Sequence, residues 1–134
     1  MTHREKIYAA EESVWPPQLR SLTLDTIIPV VARIAPECNV AALLVPEPPE
    51  SECWWQENDE GIDEPWLFIH PNERTFNWVL HELAHILQGP DDPREHSRQW
   101  LAHYLRLVRA EGLTYIARHL RRALVPLVPK TLSK

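Results

Sequence analysis

The sequence predicts an α+β fold, because its strand signals are grouped together between two sets of helix signals. Short apolar runs bounded by turn-forming residues predict up to three strands, over residues 39–46, 52–56 and 65–70. Helices are predicted on both sides of them, over residues 4–14, 23–35, 75–88, 92 to about 110, and 113–124, and the second and third of these show apolar residues at helical spacing. Strands that are segregated from helices in this way are typical of the α+β class.

Capping residues set the expected boundary between the third and fourth helices. Gly89-Pro90 ends the third helix, since glycine and proline commonly follow a helix C-terminus. Asp92 has the properties of the next N-cap, with Pro93 as the first helical residue and Glu95 as the partner in a capping box. The fourth helix is therefore predicted to begin at residues 92–93.

Composition and charge limit the class of protein. The chain has 134 residues, of which 44% are hydrophobic and 25% charged, and we expect one domain over 1–134 with a C-terminal tail, from about 126, that can be flexible. A net charge of −5 argues against general nucleic-acid binding. The two cysteines do not indicate a disulfide framework. Since no apolar stretch is typical of a signal peptide or a membrane span, the predicted location is the cytoplasm, without membrane association.

The stretch "NWVLHELAHILQGPDDPREHSRQW", residues 77–100, contains His81, Glu82 and His85 in the zinc-hydrolase order H-E-x-x-H. Shuffling a chain of this composition gives that pattern in about four cases per hundred, so its context must decide. On a helix the two histidines face the same way and can bind Zn²⁺, while Glu82 can exchange a proton with a zinc-bound water. The apolar residues of this helix fall largely on another face, so we expect the histidines to line a cleft.

A catalytic zinc ion needs a third protein ligand, for which several downstream residues are candidates. His96 is favoured, because the turn at 89–93 lets the next helix bring it back toward the first two histidines. Asp91 stands where metzincins place their third ligand, but Gln88 replaces the glycine which those families require. Two other candidates are Glu95 and His103, and the spacing also allows a site without a third protein ligand.

Two segments of the chain resemble a known family. "VLHELAHILQ" and "REHSRQWLAHYLRLV" resemble the core of small zincin-like metallohydrolases of bacteria and their phages, where V-L-H-E-x-A-H is followed by H-G-x-x-F and Y-L-x-L-V. The opening "REKIYAAEESVW" resembles the R-x-x-V-Y-A-A-E start of the same group. The resemblance implies a minimal zincin fold, in which a small twisted sheet packs on helices. It also implies His81, His85 and His96 as zinc ligands and Glu82 as the catalytic acid and base.

A hydrolase of this kind also needs a hydrogen-bond donor for the developing oxyanion. His103 is the first candidate, since it lies seven residues after His96 on nearly the same helix face, and Tyr104 and His70 are alternatives. Zincins bind an extended peptide along an edge strand, which we expect to be residues 52–56 or 65–70. The predicted activity is that of a zinc metallopeptidase acting on a peptide or protein.

Two alternatives belong to other functional classes. A chain that binds zinc without catalysis would serve as a partner-binding protein. The stretch "LVRAEGLTYIARHLRRAL" has a glycine-containing turn and a basic second helix, as in a helix-turn-helix DNA-binding module over residues of about 100–124. Arg118, Arg121 and Arg122 are its candidate phosphate contacts, although the negative net charge makes nucleic acid an unfavoured partner.

Overall fold

The computed structural model describes residues 2–16, 24–42, 52–69, 76–89 and 96–128, and it confirms the α+β class. The helices and strands of these ranges are α1 (His3–Val14), α2 (Leu24–Ile34), β1 (Asn39–Ala42), β2 (Glu52–Glu57), β3 (Asp63–Ile69), α3 (Phe76–Gln88), α4 (Arg98–Ala110) and α5 (Thr114–Leu124). Each corresponds to a predicted element.

The start of α4 differs from the prediction. Its N-cap is Ser97, whose hydroxyl oxygen accepts a hydrogen bond from the backbone amide of Trp100 at 3.1 Å. The predicted start at Asp92-Pro93 is wrong, because serine is as good a cap as aspartate and this one lies directly before the buried face of the helix. His96 consequently precedes α4 and is not part of its first turn. Residues 90–95 lie outside the described residues.

Replacing Ser97 with alanine tests this cap. The Trp100 amide is buried and would lose its acceptor, so we expect Ser97→Ala to lower the free energy of unfolding by about 1 kcal/mol in urea titrations. Ser13→Ala is the matched control, because Ser13 is exposed in α1 and its hydroxyl donates only to the carbonyl oxygen of Ala10 in the same helix, without accepting from a backbone amide. Equal losses in the two variants would mean that the cap at Ser97 contributes little.

The three strands form a mixed sheet in the order β1-β3-β2. β3 runs parallel to β1 and antiparallel to β2, so that Val40 and Cys53 both lie opposite Leu67. The acidic connection between β2 and β3 is a closed turn, in which the side-chain oxygen of Asn58 accepts from the amides of Glu60 and Ile62 at 2.8 and 3.0 Å. Because β3 lies between β1 and β2, β2 is an edge strand within the described part of the chain.

Helix α3 joins the sheet to the helical part of the molecule. It contacts β2 and β3 and packs on α4, while α5 packs on α1 and α4. Besides the apolar Leu80 and Leu83, α3 buries His81 completely and Glu82 almost completely. The prediction that this polar face lines an open cleft is wrong for His81, because side chains of α1 and α4 lie against it.

The C-terminal part of the chain is packed further than the sequence suggested. A short 3₁₀ helix, Val125–Leu127, follows α5, and Val128 after it is buried in the core. The expected tail from about 126 is thus part of the core up to Val128, and residues 129–134 lie outside the described residues. None of the helices within the described ranges is long and apolar enough to cross a bilayer.

Candidate metal centre

Three histidines from α3 and the turn before α4 converge on one point. The Nε2 atom of His81 lies 3.3 Å from Nε2 of His85 and 3.1 Å from Nε2 of His96. One ring nitrogen from each of the three lies within 4.8 Å of the others, so the group can hold a metal ion. Imidazole nitrogens bound tetrahedrally at 2.0–2.1 Å from Zn²⁺ are separated by about 3.3 Å, which the two shortest distances match.

The protonation of these rings also favours a cation. Burial, and next the neighbouring His81, lower the pKa of His85 and of His96 far below the ordinary value, so both rings are neutral at physiological pH. A proton on His81 Nε2 can be shared with only one of its two neighbours at a time. A metal ion would accept a lone pair from all three nitrogens, and is therefore the better fit to this arrangement.

His81 is oriented from behind by Glu11 of α1. The two carboxylate oxygens of Glu11 lie 2.8 and 2.9 Å from His81 Nδ1, and both residues are buried. Tyr104 donates its hydroxyl to Glu11 at 2.6 Å and accepts a bond from the indole of Trp15 at 2.9 Å. A carboxylate paired with Nδ1–H fixes the ring tautomer and directs the Nε2 lone pair toward the metal.

Glu11 ends the stretch that resembles R-x-x-V-Y-A-A-E, but it was not predicted to take part in the site. The signal that points to it is its position in α1, because Glu11 follows the buried Ile7 by one turn and thus takes a core position. An acidic residue at a core position of a helix needs a buried partner. The sequence does not show that this partner is a histidine 70 positions away.

We expect Glu11→Gln to weaken the binding of added Zn²⁺, used as a probe of the three histidines, by 10- to 100-fold, since glutamine keeps the shape of the side chain but removes the charge that polarises His81. Competition with a chromophoric chelator measures this affinity. Glu12→Gln, on the exposed side of the same helix, is the matched control. Equal zinc affinity in the two variants would argue against the pairing of Glu11 with His81, and circular dichroism checks that both are folded.

Glu82 lies next to His81 and is directed toward the edge strand. Burial raises its pKa to about 7, against the opposing effects of the His81 charge and of hydrogen bonds from the thiol and backbone amide of Cys53. A carboxyl group with a pKa near 7 is well suited to take up and return a proton at neutral pH. The contact with Cys53 in β2 brings this group to the sheet edge.

Aromatic rings hold the three imidazoles in position. The Trp100 ring is stacked on His85 with centroids 5.4 Å apart, and meets the His96 ring edge-on at 4.6 Å. Its indole nitrogen donates to the carbonyl oxygen of His81 at 3.2 Å. Tyr8 of α1 contacts His81 and His96, at centroid distances of 5.6 and 5.9 Å. These contacts fix the orientations of the three imidazole rings.

The structure does not bring His103 to the three histidines. Its partly buried ring accepts a hydrogen bond from Arg106 at 2.7 Å. His103 was predicted as the oxyanion donor because His96 and His103 were expected on nearly the same face of one helix. Since His96 precedes α4 and His103 lies within it, that reason no longer applies. Tyr104 is committed to Glu11 behind His81. The other candidate residues His70, Asp91 and Glu95 lie outside the described residues.

Comparison of the chain with protein-family models, with curated proteins and with solved structures gave no match.

Proposed function

We propose that this chain is a zinc-dependent hydrolase with a minimal zincin-like fold, and that it acts as a metallopeptidase. The observation that carries the proposal is the convergence of His81, His85 and His96 at the spacing of zinc ligands, beside the buried carboxyl of Glu82. Zinc bound by these histidines would polarise a carbonyl group and activate water for its hydrolysis.

The chain's own residues have distinct parts in this proposal. Glu82 takes a proton from the attacking water and returns it to the leaving amine, for which its raised pKa suits it. Glu11 holds His81 in the tautomer and orientation that a metal ligand needs. An extended peptide would add to the sheet along β2, whose residue Cys53 contacts Glu82. The proposed substrate is accordingly a peptide or an unfolded segment of a protein.

Zinc content and zinc-dependent cleavage together test the proposal. The purified protein is analysed for metals and incubated with a proteome-derived peptide library, before chelation, after chelation and after zinc is restored. We expect one zinc per chain and a set of cleavages that chelation removes and zinc restores. Absence of bound zinc would overturn the proposal, while stoichiometric zinc without any cleavage would favour the non-catalytic partner-binding alternative.

One observation favours nucleic-acid binding as a second candidate. α4 and α5 are joined by a turn with Gly112 at φ +82°, and Arg118, Arg121 and Arg122 are exposed beside a cavity of about 330 Å³. Duplex binding that weakens with salt and survives Glu82→Gln would support this candidate, since phosphate contacts are electrostatic and independent of the metal centre. Absence of duplex binding at low salt would exclude nucleic-acid binding as a function of this chain.

A further inference from the structure

Helix α5 and the 3₁₀ helix after it form a basic surface around the cavity of about 330 Å³. Five residues line this cavity, namely Arg118, Arg121, Arg122, Val125 and Pro126. The three arginine side chains are exposed, and within the described ranges none of them forms a hydrogen bond or an ion pair. No acidic residue follows Glu111 in the chain, and Glu111 itself is paired with Arg33 of α2. The basic surface therefore has no free acidic counter-charge close to it in the sequence.

The apolar residues of the cavity indicate which class of acidic ligand fits it. The side chains of Val125 and Pro126 cannot donate a hydrogen bond to a phosphate oxygen, so a nucleic-acid backbone would leave them unused. Tyr115 lies three residues before Arg118 on the same face of α5, and its side chain is 69% exposed. Tyrosine is enriched in protein interfaces. The basic surface is therefore best suited to an acidic protein segment that carries an apolar side chain.

Such a segment occurs in this chain, in the acidic turn between β2 and β3. Four acidic residues on and beside this turn are exposed, namely Glu57, Asp59, Glu60 and Asp63. Ile62 lies among them and is 59% exposed. The turn is closed by the two hydrogen bonds to the Asn58 side chain, and the Asn58 amide donates to the carbonyl oxygen of Ile62 at 2.8 Å. Because the turn is already ordered, its side chains can meet a partner at a low cost in conformational entropy.

The acidic turn and the basic surface belong to different parts of the molecule. The turn is part of the sheet, which packs on α3, whereas α5 packs on α1 and α4. A turn and an α5 that come from two copies can meet without any change in the fold. We propose that the basic surface binds the acidic turn of a second copy of this chain, with Ile62 in the cavity and the acidic side chains on the arginines. Each copy has one surface of either kind, so two copies can make two such contacts.

Charge reversal on each surface tests this proposal. Self-association of the whole chain is measured by sedimentation equilibrium at low and high salt, in wild type, Arg122→Glu and Glu60→Lys. We expect the wild type to form dimers that weaken as salt rises, and each variant to have a dissociation constant at least about tenfold larger. An equimolar mixture of the two variants should associate again, because the unchanged turn of one variant fits the unchanged α5 of the other.

Arg109→Glu and Glu37→Lys are the matched controls for the two reversals. Arg109 is exposed in the last turn of α4, as Arg122 is in the last turn of α5. Glu37 and Glu60 are both exposed residues of turns. Each control changes the net charge as much as the reversal that it matches, so both should dimerise as strongly as the wild type. Circular dichroism checks that all four variants are folded.

The outcomes distinguish the acidic turn from other ligands of the basic surface. A wild-type chain that stays monomeric at low salt overturns the inference. Equal weakening in the reversals and their controls also overturns it, because net charge would then determine association, and so does a mixture of the two reversals that stays monomeric. A monomer that binds duplex DNA, with the binding lost in Arg122→Glu, would assign the arginines to nucleic acid instead. The zinc content that tests the proposed function is the same in each case, so the two proposals are judged separately.

Discussion

Glu82→Gln is expected to reduce peptide hydrolysis by 10²- to 10⁴-fold while zinc remains bound at one ion per chain. The amide has nearly the same size as the carboxylate, and its oxygen can still accept the hydrogen bond from the Cys53 backbone. It cannot take up a proton from water, so the loss falls on the chemical step. The measurement is kcat/KM on a substrate from the peptide library, beside elemental analysis of the same preparation.

The control for this variant is Glu57→Gln, which changes a carboxylate at the exposed end of the same edge strand. It should cleave the substrate at the wild-type rate. Undiminished hydrolysis in Glu82→Gln would exclude Glu82 as the acid and base. If zinc and activity were lost together, Glu82 would be needed for the structure of the site and its chemical role would remain without support.

His96→Ala should remove zinc from the purified protein. Structural zinc sites bind with about 10–16 kcal/mol in total, so one of three protein ligands contributes about 4 kcal/mol, which is roughly a thousandfold in affinity. His81 and His85, both on α3, cannot compensate for a ligand that comes from a different segment. Chelator competition and elemental analysis measure the loss.

Asp91→Ala and His103→Ala should both keep full zinc occupancy in the same experiment. Asp91 is the alternative third ligand by sequence, and His103 makes its hydrogen bond to Arg106. If His96→Ala kept its zinc and Asp91→Ala lost it, Asp91 would be the third ligand in place of His96. Loss of zinc in all three variants would indicate that the substitutions destabilise the fold and so release the ion indirectly. Urea titration of each variant would detect this loss of stability.

The parts of the structure that local sequence decides were predicted well. Periodic apolar residues predicted α2 and α3, helix start and stop signals marked the ends of others, and the order of helices and strands predicted the class. The grouping of His81, His85 and His96 was also expected, because a short connection after Gln88 limits where the next segment can go. His96 reaches the site from a turn, whereas the sequence suggested the first turn of a helix.

The parts that depend on distant contacts were not predictable in the same way. The sequence contains the apolar stripe of α3, but nothing in it indicates that α1 and α4 cover the opposite face as well. Glu11 and Tyr104 are 93 positions apart, and their hydrogen bond exists only because both helices meet behind His81. The start of α4 was missed because two good capping residues, Asp92 and Ser97, lie five positions apart and tertiary packing selects between them.

The contact between Glu11 and Tyr104 has a consequence for synthesis of the protein. The helix that orients His81 precedes α3 in the chain, whereas the hydroxyl that anchors this helix belongs to α4, which follows α3. A growing polypeptide would therefore hold the H-E-x-x-H helix before it has either His96 or Tyr104. Zinc would be bound tightly only after α4 has left the ribosome, so the proposed peptidase would become active only after translation has passed α4.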